Sequence, residues 1–327
     1  YDPNTLAPSV PNPCAIPSNG APPGFGSINE QASFIIQAVA YAFAAGMTKV
    51  FEFQFQDDGV GQAFGLYRNN GSVRPVYAAY QLTVQFLENF STVSRSAVGG
   101  AEAIGFGVPG GPAPHRTTVL WNDTGQPVTV AVPALGVPPI SVSLVQQDGS
   151  QQSLAAAATY SFSLPAATDN RNYDSPWNQN DYVVGGSTAF LVEYAPSDTT
   201  PPVGYVNSAT YNATSQTAQI GWVGCDPQGW GVLDFSVSYR DATTAGPWTS
   251  WLANVAGTSA TLAVLPNHTY QFRAVARDWA GNVQPKLSDQ IDWILTASAT
   301  TPSAAAPETS TLTHVLLFPL VFGPPCP

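Results

Sequence analysis

Charge is what this chain has least of. Only 9% of its 327 residues are charged, and the 10 Lys and Arg residues are scattered along a chain of net charge −11. A phosphate backbone is bound by clustered cations, so nucleic acid is excluded as a partner. The 3 histidines, His115, His268 and His314, share no metal-type spacing. Each fits a loop or strand end better than a catalytic triad. The 3 cysteines, Cys14, Cys225 and Cys326, lie far apart and form no CxxC pair. That excludes a zinc ribbon and a thioredoxin-like site, and the odd number leaves at least one thiol without an intrachain partner. No cofactor motif is present. Met47 is the only methionine, and Tyr1 already lies in irregular, Pro-rich sequence with no signal peptide. The start therefore reads as a processed or truncated end. The longest apolar run near the C-terminus, residues 315–322, is interrupted by Pro319. A membrane helix needs about 20 apolar residues, so the chain reads as soluble, without a transmembrane segment.

What the sequence does have is 44% apolar residues together with 30 prolines and 28 glycines. Such a mixture suits many short strands and turns, and predicts a mainly β chain. Helical spacing occurs in two places only. Ser27 and Glu30 form the S-x-x-E pattern of a capping box, Phe34, Ile35, Ala38, Tyr41, Ala42 and Ala45 follow at helical intervals, and Gly46 supplies a stop. A second helix is predicted from Arg74-Pro75 to about Phe90. Between them, residues 49–56 alternate, with Phe51, Phe53 and Phe55 on one face and Val50, Glu52, Gln54 and Gln56 on the other. The pattern predicts a strand packed on its aromatic side and polar on its other side, followed by an acidic loop at 57–65.

From Gly99 onward glycine and proline break any helix. Strands are expected at 117–121, 128–132, 140–146, 159–164 and 188–194, spaced as in a β-sandwich. The polar stretch 169–181 reads as an exposed loop. Asp198-Thr199-Thr200-Pro201-Pro202 marks a boundary. Beyond it, strands at 217–222, 233–239, 248–252, 260–265, 269–277 and 290–293 predict a second sandwich. The resulting segments are 1–92, 93–196, 197–296 and a Thr/Ser/Ala/Pro linker with apolar tail at 297–327.

Phe64-Gly65-Leu66, Asn70-Gly71-Ser72 and Arg74-Pro75-x-Tyr77-x-x-Tyr80 resemble the last β/α unit of a (β/α)8-barrel glycoside hydrolase of the large retaining clan. The likeness covers roughly 60 residues and continues into what looks like the companion sandwich of such enzymes, with Val119-Leu120-Trp121-Asn122 as a core strand. The second sandwich is similar to fibronectin type III domains of secreted bacterial proteins. Trp222-x-x-x-Asp226, Trp248-x-x-Trp251, the run from Tyr270 to Asp278, and Ala280-Gly281-Asn282 carry that match. The fold implied is thus a small α/β N-terminal part, the incomplete end of a (β/α)8 barrel, followed by two β-sandwich domains.

The resemblance implies hydrolysis of a β-linked sugar by two carboxylates about 5 Å apart. In that family they follow strands four and seven, whereas the strand here corresponds to strand eight. Both catalytic positions would then fall upstream of Tyr1, leaving this chain without a catalytic pair. Glu30 reads as a helix cap. Candidate substrate contacts are Glu52 and Gln56 on the polar face, and Asp57 and Asp58 at the strand's C-terminal end. Each has an ordinary alternative, a structural contact or an Asp-Gly turn. Asp57, Asp58 and Gly59 lack the further ligands of a calcium loop, so no metal site is expected. Trp177 and Trp230, in predicted loops, are candidates for stacking on sugar, whereas Trp222, Trp248 and Trp251 read as sheet-packing residues. The sequons at Asn70, Asn89, Asn122, Asn212 and Asn267 do not decide the source.

The expectation is therefore the C-terminal part of a secreted or cell-surface bacterial glycoside hydrolase. Its partner would be polysaccharide or oligosaccharide, and the isolated chain would be inactive. The alternative is a non-catalytic cell-surface carbohydrate-binding or adhesion module. Oligomeric state is not legible.

Overall fold

The computed structural model describes residues 28–52, 54–57, 65–167, 171–172, 182–183 and 185–298. The chain forms two compact units, Tyr1–Asp198 and Thr199–Pro327. Both are mainly β, as the composition predicts.

The described part of unit 1 begins with α1 (Ile28–Ala44), and α2 (Pro75–Leu87) follows. α1 stops where the chain reaches Gly46, whose φ of +89° is the left-handed conformation that glycine adopts without strain. There the N–H groups of Gly46 and Met47 donate to the carbonyls of Phe43 and Ala42, satisfying the last turn. Pro75 starts α2, where its missing N–H costs nothing.

The strands of unit 1 are β1 (Thr92–Val98), β2 (Ala101–Val108), β3 (His115–Asn122), β4 (Val128–Pro133), β5 (Ser141–Gln146), β6 (Gln151–Leu154), β7 (Thr159–Leu164), β8 (Arg171–Asn172), β9 (Tyr182–Val183) and β10 (Ala189–Tyr194). Six form one antiparallel sheet in the order β1-β2-β3-β10-β5-β6, while β4 pairs with β7 and β8 with β9. Alternation along the sheet builds two cores. Phe106, Val119, Trp121, Val145 and Phe190 face α1 and α2, while Ala103, Leu120, Leu144 and Leu191 face Val130, Val132 and Tyr160 of the β4–β7 pair. Because both of its faces are covered, every residue of β3 is buried. The helices and the sandwich, at 1–92 and 93–196 in the sequence, therefore share a core.

Unit 2 contains β11 (Val203–Asn212), β12 (Thr217–Cys225), β13 (Val232–Asp241), β14 (Thr249–Val255), β15 (Ser259–Ala263), β16 (Thr269–Asp278) and β17 (Trp293–Thr296). Sheets β11-β12-β15 and β14-β13-β16-β17 close over Val206, Ile220, Trp222, Val237, Phe272 and Ala274. β16 alternates strictly between buried and half-buried positions, as the strand of a two-sheet sandwich should. Trp222 is 1% exposed and donates its indole N–H to Gly257 O. In the Asp278 to Asn282 turn, Asp278 accepts from both the backbone and the side-chain amide of Asn282. The Ala280-Gly281-Asn282 motif thus forms a turn closed by Asp278.

Two expectations need correction. Among the described residues of 49–56, which leave out Phe53, no ladder strand forms: the segment contributes one isolated bridge, Gln56 to Tyr67. Of its aromatic side, Phe51 is 86% and Phe55 65% exposed, although Phe55 touches Tyr67. Alternation specifies two faces, but a strand also needs a neighbour to receive its hydrogen bonds, and among the described residues only 65–67 does so. The odd-cysteine argument is also sharpened, because Cys225 is disulfide-bonded. Its partner lies outside the described residues.

Candidate functional site

The motif that resembles the end of a barrel folds into one connected structure. Leu66 and Tyr67 donate backbone N–H groups to Gln54 O and Phe55 O, and Asp57 N–H returns a bond to Tyr67 O. Gly65 makes this approach possible, since a Cβ there would lie 2.6 Å from Asp57 N. Gly65 N–H in turn donates to Asp57 Oδ1 at 2.9 Å. The other carboxylate oxygen, Oδ2, is 2.5 Å from Arg74 Nη2, and both side chains are almost wholly buried. Asn70-Gly71-Ser72 is a tight turn in which Ser72 N–H and Oγ–H donate to Asn70 Oδ1. Tyr67 packs edge-on against Tyr77 of α2, with ring centroids 5.0 Å apart, and lies 4.8 Å from Phe55 on its other side. Arg74 and Tyr77 are therefore the anchors that fix the segment to α2.

Glu52 sits differently. It lines a cavity of about 680 Å³ between the helices, among Ile35, Val39, Met47, Tyr80 and Val84. Burial alone pushes its carboxyl above the ordinary glutamate value. Glu88, just past the end of α2, lines the same cavity, so its otherwise largely apolar lining holds two carboxylates among the described residues.

Among the other sequence candidates, Gln56 is exposed and supplies the isolated bridge to Tyr67. Asp57 belongs to the Arg74 ion pair just described. Asp58 and Trp177 lie outside the described residues. Trp230 is 1% exposed, so neither of its ring faces is open to a sugar. It sits beside Gly231, whose N–H donates to Asp226 Oδ2 and holds the turn in place. Trp230 was expected in an exposed loop, but a fully buried indole can occupy a short turn. Asn122, one of the sequons, is also fully buried. Its side chain closes a turn by donating to Gln126 O and Pro165 O and accepting from Thr124, which leaves no room for a glycan.

Sequence reasoning missed the stacked cations of unit 2. Arg240 and Arg273 place their guanidinium carbons 4.8 and 4.4 Å from the ring centroid of Trp248. The two arginines are 33 positions apart in the sequence, and only the pairing of β13 with β16 brings them together.

Comparison with known proteins finds no matching family model and no matching curated protein. Solved structures with partial likeness include a family 39 glycoside hydrolase from the gut symbiont Bacteroides cellulosilyticus WH2, with 18% identity and a TM-score of 0.37 over 50% of this chain and 30% of that one. A β-1,2-glucanase from Parabacteroides distasonis matches at 10% identity and TM-score 0.23, over 65% of this chain and 36% of that one. The fn3 domain of human collagen α-1(XX) matches at 22% identity and TM-score 0.24, over 33% of this chain and 98% of that one. This chain spans less than half the length of either glycoside-hydrolase neighbour.

Proposed function

We infer that this chain is the C-terminal portion of a glycoside hydrolase acting on β-linked carbohydrate, and that the catalytic acid and nucleophile reside on other segments of the same polypeptide. One observation supports this most: the unit bearing the barrel-like motif has an open apolar side. Phe51, Phe55, Met47 and Val84 are 86%, 65%, 57% and 41% exposed, and Met47 and Val84 line the apolar cavity between α1 and α2. Side chains of this kind normally lie inside, and several exposed on one unit favour an interface. The occupant that fits is a set of neighbouring β/α units, whose strands would pair with 49–56 and whose side chains would cover Phe51 and Phe55. Glu52 would stay on the helix side of that segment, in the cavity it lines with Ile35, Val39 and Tyr80.

The disulfide at Cys225 supports an extracellular or cell-surface setting, because such bonds persist in oxidising compartments. The adhesion alternative gains nothing from Trp230, which is buried. The test compares sugar release from aryl β-glycosides by this chain with release by a polypeptide extended at its N-terminus. Activity only in the extended polypeptide supports the proposal. Turnover by this chain alone contradicts it.

A further inference from the structure

Every Lys and Arg among residues 199–298, namely Arg240, Arg273, Arg277 and Lys286, lies on or beside the sheet β14-β13-β16-β17. Arg277 is paired with Asp234, and Lys286 Nζ with Asp292 at 2.6 Å. Arg240 and Arg273 have no carboxylate partner among the described residues. Arg240 spends its Nε–H on Gln271 Oε1, and Arg273 donates one Nη1–H to Ser288 O. A guanidinium carries five N–H donors, so each retains most of its fork.

The register explains why these two face the same way. Ser238 pairs with Arg273 and Arg240 with Gln271, so Arg240, Ser238, Gln271 and Arg273 share the half-buried outer face of β13 and β16. Ile294 of β17, opposite Gln271 and 57% exposed, extends this face with an apolar contact. Trp248 holds both guanidinium carbons within 4.8 Å of its ring centroid, which bounds their separation at about 9 Å. Stacking on an indole restrains a long side chain that would otherwise lose entropy on binding. It also occupies the indole, so this is no stacking platform for a neutral sugar.

The geometry points to a binding face for an anionic, uronate-bearing polysaccharide, with Arg240 and Arg273 as paired carboxylate receptors and Ile294 against the sugar backbone. Guanidinium recognises carboxylate through two parallel N–H···O bonds. Two such forks, pre-set on one rigid sheet, suit a strand that carries carboxylates at regular intervals better than a single small anion. The choice of a polysaccharide over an acidic protein segment rests on the carbohydrate-active reading above. The anion-binding chemistry itself does not.

The test uses the full chain in affinity electrophoresis and calorimetry against polygalacturonate, with dextran as the neutral polymer and poly-L-glutamate as the acidic polypeptide. Retention is expected on polygalacturonate only, weakening as ionic strength rises. Arg240→Gln and Arg273→Gln should each weaken it about tenfold. Arg240→Lys with Arg273→Lys, which keeps charge but not the fork, should lose a smaller part. Melting curves of the variants establish that they fold. No retention on polygalacturonate, equal retention on dextran or on poly-L-glutamate, or undiminished binding by a folded Arg→Gln variant would each overturn the proposal. None of these outcomes depends on whether an extended polypeptide hydrolyses a glycoside, so the two readings fail separately.

Discussion

The Asp57 and Arg74 pair offers a direct check on how the barrel-like segment is held. Asp57→Ala removes the carboxylate that receives Arg74 Nη2 at 2.5 Å and Gly65 N–H at 2.9 Å. The Arg74 and Asp57 side chains are only 2% and 6% exposed. A solvent-exposed pair would be worth about 1 kcal/mol at most. Deleting one partner of a buried pair leaves the other charge desolvated and costs about 3–5 kcal/mol. At about 2–4 °C per kcal/mol for a unit of this size, the melting temperature should fall by about 6–20 °C. Loss could instead appear as local opening, so the assay combines denaturant titration with amide hydrogen exchange. The N–H groups of Asp57 and Tyr67, which bond across the two segments, should lose protection before those of β3 do. A companion variant, Asp57→Leu with Arg74→Met, replaces the pair by apolar groups and should recover most of the loss. A destabilisation of Asp57→Ala below about 1 kcal/mol, with exchange unchanged at Asp57 and Tyr67, would show that the pair is screened by water and would refute the reasoning.

Glu52→Gln should stabilise the chain at neutral pH by up to about 1 kcal/mol, as read from denaturation midpoints, after allowing for solvent screening of a half-buried group. The sign follows from its raised carboxyl. Such a group favours the folded state below its unfolded value, and that contribution is lost as pH rises through the folded value, so the wild-type advantage of low pH should vanish in the variant. Lys286→Ala leaves Asp292 without its cation in a pair where each side chain is 3% exposed. Its cost should be about 3–5 kcal/mol in the same assay. The loss should be accompanied by exchange at Val206 and Ala274, whose N–H groups Asp292 Oδ2 also accepts.

Periodicity located both helices, and alternation located the strands whose inner residues are uniformly apolar, such as β3 with Val119 and Trp121. It failed where one of those signals was diluted. β2 carries Gly105 and Gly107 within a wholly buried run, β6 is the polar edge sequence Gln151–Leu154, and β11 follows Pro201-Pro202 and was absorbed into a boundary. At 49–56 the opposite error occurred, since a pattern of two faces was present without, among the described residues, enough partner strand to form a ladder. The motif Arg74-Pro75-x-Tyr77 was visible as a likeness, but its work was not. Arg74 neutralises Asp57, 17 positions away, and Tyr77 supports Tyr67. Long-range charge pairs leave no local trace in a sequence, and the same holds for the Arg240, Trp248 and Arg273 stack.

The sharpest test of the proposal is hydrolysis of aryl β-glycosides and β-linked oligosaccharides by this chain, side by side with a polypeptide extended at its N-terminus by the proposed β/α units. The account predicts no release above background from this chain and turnover by the longer one, with Phe51 and Phe55 protected from solvent only in the latter. Turnover by this chain alone, or an extended polypeptide that folds yet leaves Phe51 and Phe55 exposed, would contradict it.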